Sequence, residues 1–165
     1  MKEQRRTIWR VPVVLTVTGV LCRILSYLLA FAWGSIQSAL NRDVLSTGYV
    51  TEIVSIAAFL LFWAAGWRFV RGLTRREIFY SATIMVVWHA LLLAAEQFFL
   101  AMGSYPMLIY RLWATVESTQ WLDQLLIHLL GRVTVPVMIP GLFVPYLYLV
   151  FGEKRPAASE TDNPT

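Results

Sequence analysis

Four long apolar runs, at about 11–33, 50–70, 78–102 and 121–150, limit what this chain can fold into. Each meets or exceeds the roughly 20 residues that a helix rising ~1.5 Å per residue needs to cross about 30 Å of hydrocarbon. A lipid environment accepts such runs if their backbone groups are satisfied within helices. Composition agrees: the chain is 58% hydrophobic and 15% charged, with a mean hydropathy of +0.60. Soluble domains run at roughly 45–50% apolar and about 25% charged. The expected fold is therefore all-α, a polytopic membrane protein built as a four-transmembrane-helix bundle. A single membrane domain is expected over 1–155, followed by a disordered cytoplasmic tail over 156–165.

The charges give an orientation. Lys2, Arg5, Arg6 and Arg10 precede the first run, Arg68, Arg71, Arg75 and Arg76 separate the second and third, and Lys154 and Arg155 follow the fourth. The alternate loops hold only Arg42 and Arg111. This alternation is a positive-inside pattern, which sets both termini in the cytoplasm and the chain in the inner or plasma membrane. Trp9, Trp33, Trp67 and Trp121 stand at the ends of the runs, where amphipathic rings favour the headgroup level. The net charge of +4 does not point to nucleic acid, because the basic residues flank apolar runs and form no basic helix face.

Local signals refine the picture. Thr74-Arg75-Arg76-Glu77 reads as a capping box opening the third helix, and Gly72 suits the turn before it. In the second outer loop, 103–120, the stretch Met107–Val116 is too short to span and is expected as an interfacial helix, with Tyr110 and Trp113 at headgroup depth. The basic start, apolar core and Ala30-Phe31-Ala32 resemble a cleavable secretory leader, but Arg23 interrupts the core and the run is long for one. Cys22 is the only cysteine, so no intrachain disulfide or Cys-based zinc site can form.

The informative residues are ionic or polar groups inside the apolar runs. A charge near the bilayer centre costs roughly 2.5–3.5 kcal/mol on insertion scales, so such groups turn inward and seek partners. Here they are Arg23, His89, Glu96, His128 and Arg132. Thr16, Gly19, Arg23, Ser26, Tyr27 and Ala30 form a small and polar stripe on the first helix; His89 and Glu96 share a face of the third; Gln124, His128 and Arg132 repeat every four residues on the fourth. Counting down from the outer ends sets Glu96 and His128 roughly 8–10 Å deep, Arg23 and Arg132 about 15–16 Å, and His89 about 18–20 Å. Two arginines against one glutamate leave positive charge for an anionic ligand or partner. Tyr27, Glu52, Gln97, Asp123 and Gln124 are secondary candidates, although Glu52 and Asp123 near helix starts also suit the helix dipole. An Arg23–Glu96 structural pair with neutral, packed histidines is the competing outcome.

The fourth run holds Pro136, Pro140 and Pro145 with Gly131 and Gly141, so it is either one kinked helix or a helix broken near 133–140. No phosphate loop, HExxH pair, nucleophile elbow or CxxC is present. The expected function is a transport or ligand-binding membrane component with an outward-facing polar site for an anionic group; the alternative is a structural or assembly subunit. Lesser alternatives are an intramembrane enzyme using Glu96, or a haem protein using His89 and His128. No cofactor or metal is expected. The expected partners are the lipid bilayer, a second copy or partner membrane subunit, and a small anionic ligand.

Overall fold

The computed structural model describes residues 8–40, 48–131 and 134–153, and its regular structure among them is helical. Three long helices come first: α1 (Arg10–Ala39), α2 (Gly48–Ala65, continued by a π-helical turn Gly66–Val70) and α3 (Arg75–Ala101). All three are long and apolar enough to cross a membrane. The rest is in short pieces: α4 (Met107–Trp113), a 3₁₀ turn Glu117–Thr119, α5 (Trp121–Leu130), α6 (Val135–Leu142) and a 3₁₀ segment Val144–Phe151. The tail over 156–165, with Lys154, Arg155, Arg42 and Arg132, lies outside the described residues.

One end of the bundle is closed by hydrogen bonds. The Ser81 hydroxyl donates to the Ile8 carbonyl and accepts from the Val11 N–H at 3.2 Å, joining the start of α1 to α3. The Glu153 N–H donates to the Leu73 carbonyl at 2.9 Å, and the Arg75 N–H to the Glu153 carbonyl at 3.3 Å. The expected capping box is present: Thr74 accepts from the Glu77 N–H, and the Glu77 carboxylate accepts from the Thr74 N–H. Gly72 takes the turn with φ of 91°, a left-handed conformation that glycine adopts without steric cost. Arg68, Arg71, Arg75 and Arg76 gather here, with the Arg71 guanidinium 4.8 Å from the Trp67 ring centroid. The described chain therefore begins and ends on one basic face of the bundle.

The second half replaces the expected single fourth helix. From the far end of α3 the chain turns back through α4, and the 3₁₀ turn drives into the bundle against α1. The Ser118 hydroxyl donates to the Leu15 carbonyl at 3.2 Å, and a Cβ on Gly19 would stand 2.5 Å from the Ala114 carbonyl oxygen. Glycine at 19 lets the two backbones touch, the close-approach role of small residues in lipid-exposed bundles. The expected loop helix forms over Met107–Trp113 with Met107, Leu108 and Tyr110 exposed, but Trp113 is 5% exposed, so the far end of the helix is core rather than at the surface. From the tip α5 climbs antiparallel to α2 for about 15 Å, with Trp121 edge-on to Phe59 at 4.9 Å. It stops at Gly131, whose φ of 64° gives a left-handed C-cap.

The chain then descends through α6 and the 3₁₀ segment to the basic face. Eight α-helical residues rise about 12 Å and eight 3₁₀ residues about 16 Å. The tighter 3₁₀ winding lets this short stretch cover a distance near the bilayer's apolar thickness. Packing pins it: Tyr148 stacks on Phe62 at 4.3 Å and donates its hydroxyl to the Phe62 carbonyl at 3.0 Å, and Tyr146 hydrogen-bonds Thr83 at 2.9 Å. The fourth run is broken where α5 stops at the left-handed Gly131 and α6 starts with Pro136 in its first turn; Pro140, inside α6, and Pro145, at the start of the 3₁₀ segment, remove backbone donors further along.

Candidate functional site

The stripe on α1 meets the hairpin formed by α4, the 3₁₀ turn and α5, not α3. Arg23 Nη2 lies 2.7 Å from the Glu117 carboxylate. The pair is mostly enclosed, with side-chain exposures of 17% and 13%. A guanidinium and carboxylate this close form a charge-assisted contact that neutralises both in a setting where either alone is costly. Arg23 also lies 4.8 Å from the Tyr110 ring centroid, and the Tyr110 and Tyr27 hydroxyls share a hydrogen bond at 3.0 Å.

Beside this pair is a cleft of about 350 Å³ between α1, α2 and the hairpin. Its polar lining is Arg23, Ser26, Tyr27, Thr51, Ser55, Glu117, Gln120 and Gln124; Ala58 and Trp121 give it apolar walls. It extends from the Arg23–Glu117 level toward Trp33 and Val50, the end of the bundle opposite the basic face. A second groove, of about 650 Å³, lies on the other side of the α2–α5 contact. It shares Thr51, Ser55, Trp121 and Gln124 with the first cleft and adds Glu52, His128, Phe59 and Leu125.

The residues singled out from sequence are thus dispersed. Arg23, Tyr27 and Gln124 line the first cleft, while Glu52 and His128 line the second groove. An Arg23–Glu96 pair is corrected by the structure: Arg23 takes Glu117, and Glu96 accepts from the Tyr105 hydroxyl at 3.0 Å. Burial, then the Glu96 carboxylate, push the Tyr105 phenol up to about 12. His89 is buried edge-on to Trp113 at 5.3 Å and lines neither cavity, so it does not face His128 as a shared haem would require. Gln97 is half-buried on α3 and also lines neither. Asp123 does sit in the first turn of α5, but it is 3% exposed and packed against Gly141 rather than simply complementing a helix end. Arg132 is outside the described residues. Among those residues no group of His, Cys, Asp and Glu could hold a metal ion.

Glu117 and Gln120 were missed by reading the apolar runs. The signal was the polar stretch Glu117-Ser118-Thr119-Gln120 between two apolar segments, which reads as a surface loop until Ser118 and Thr119 prove fully buried. No family model, no curated protein and no solved structure matches the chain.

Proposed function

We propose that this protein is a ligand-binding or transport component of the cell membrane, with a cleft that takes the anionic end of a small molecule from the outer side. The chain crosses four times, the last crossing made by α6 and the 3₁₀ segment. The basic face with its Arg–aromatic contacts faces the cytoplasm, in keeping with the positive-inside rule. The hairpin of α4 and α5 enters from outside and returns outside. Non-helical backbone at this depth is tolerated where protein buries it or it lines a cavity, and the turn at 117–119 meets both conditions.

The observation that carries the reading is an arginine set in the wall of a polar cleft inside an otherwise apolar bundle. Arg23 spends one nitrogen on Glu117 and offers further N–H donors in a planar fork. Tyr27, Gln120 and Gln124 stand in the same lining as supporting donors. An incoming carboxylate or phosphate competes with Glu117 for the guanidinium, so Glu117 sets the threshold for binding. Thermal-shift titration of detergent-purified protein with carboxylates and phosphate esters tests this. Stabilisation by one anion class, lost in Arg23→Gln and strengthened in Glu117→Gln, is expected. No stabilisation by any anion, in wild type or in Glu117→Gln, would sink the reading.

One observation favours a structural role instead: Glu117 already satisfies Arg23, and the pair ties the hairpin to α1. In that case Glu117→Gln lowers stability and gains no affinity for anions.

A further inference from the structure

We infer that Asp123 is a proton-binding site at the seam between α5 and α6, occupied as a neutral carboxylic acid in the resting protein. The inference is independent of the ligand reading of the cleft. Asp123 is 3% exposed, and among the described residues its Oδ1 has no hydrogen-bond partner. The Gly141 backbone N–H donates to the carboxyl, the one polar support it has among the described residues. The contact is so close that any Cβ at position 141 would collide with the carboxyl, so glycine is required there.

Among the described residues the surroundings supply no counter-charge. Among the described residues the one salt bridge is Arg23–Glu117, and no cation lies within ion-pair distance of Asp123. α5 packs on α6, α2 and the 3₁₀ turn. α6 carries no titratable side chain, α2 brings Glu52, and the turn brings Glu117. Glu52 faces the outer groove with His128 of α5, and Glu117 is held by Arg23. Both acids would in any case oppose, not support, a second negative charge. An isolated carboxylate in such an interior is far costlier than the neutral acid, which needs only ordinary hydrogen bonds. Release of the proton to water leaves a carboxylate in the seam with the Gly141 backbone N–H as its one polar neighbour among the described residues, and favours separation of α5 from α6. Gln120, Trp121 and Gln124 of the same short helical stretch line the cleft, so its wall shifts with that separation.

Infrared spectroscopy of the protein in lipid nanodiscs at neutral pH tests the assignment, comparing wild type with Asp123→Asn. The expected result is a protonated-carboxyl carbonyl band in wild type that Asp123→Asn lacks, with the variant's melting temperature kept within a few degrees, since the amide mimics the neutral acid. Persistence of the band in Asp123→Asn, or absence of such a band from wild type, overturns the proposal. The second outcome would mean an ionised carboxylate. Failure of Asp123→Asn to fold also overturns it, because a site that is neutral at rest accepts a neutral isostere.

Discussion

The two halves of the chain solve the same problem differently. In α1 and α2 only 22% of the most apolar stretch is buried within the protein, and in α3 39%. These helices satisfy their own backbones and leave most side chains to the surroundings. From Met107 onward no helix exceeds 10 residues, yet Ser118, Thr119, Asp123 and the Arg23–Glu117 pair are enclosed there. Broken backbone cannot face lipid, so it has to be wrapped, and wrapping it brings polar side chains inside. The first half therefore acts as a wall and the second as the contents.

That contrast can be broken most severely at the ion pair. Glu117→Ala leaves Arg23 enclosed without its partner, and a loss of about 3 kcal/mol is expected, the low end for a buried pair because both groups keep some exposure. Chemical or thermal unfolding in detergent reads it. Glu96→Gln, which alters a half-buried group held by one tyrosine, is expected to cost under about 1 kcal/mol in the same assay. Comparable losses for the two would erase the distinction between hairpin and outer helix.

Next in size is a pair of glycines on one helix. Gly19→Val drives a side chain into the Ala114 and Thr115 backbone and is expected to cost about 2 kcal/mol, within the range for overpacking. Gly34→Val meets open space and is expected to change stability by less than ~0.5 kcal/mol. Smaller again is Thr83→Val, which removes one hydrogen bond to the descending segment at Tyr146 and is expected to cost about 0.6–1 kcal/mol. Leu91→Ala, on a side chain 59% exposed, is expected to leave the packing unchanged to within ~0.5 kcal/mol.

The sequence was informative in proportion to how local the cause was. The capping box at Thr74, the turn at Gly72 and the three long helices rest on near-neighbour chemistry, and they were legible. The stripe of Gly19, Arg23, Ser26, Tyr27 and Ala30 was legible as one face, but its partner was not. Periodicity shows which residues share a side of a helix and says nothing of what meets them. Glu117 lies in a stretch that looks like an exposed loop, and only contact with Leu15 and Gly19 of α1 makes it deep. In the fourth run the prolines signalled trouble. The division into an ascending α5 and a descending α6 depends on the left-handed Gly131 and on aromatic stacking far along the chain.

The central claim is that the fourth run doubles back, bringing its midpoint to the end of the bundle opposite the basic face, which the proposed orientation sets outside. Thr134 decides it. In a single helix over 121–150 it would be buried near the middle of the membrane, whereas in this fold it sits exposed beside the α5–α6 turn. With the buried lone cysteine removed as Cys22→Ser, right-side-out vesicles carrying Thr134→Cys can be treated with a membrane-impermeant maleimide. Labelling as fast as that of Tyr105→Cys in the outer loop is the expected result; protection of Thr134→Cys while Tyr105→Cys reacts would contradict the account.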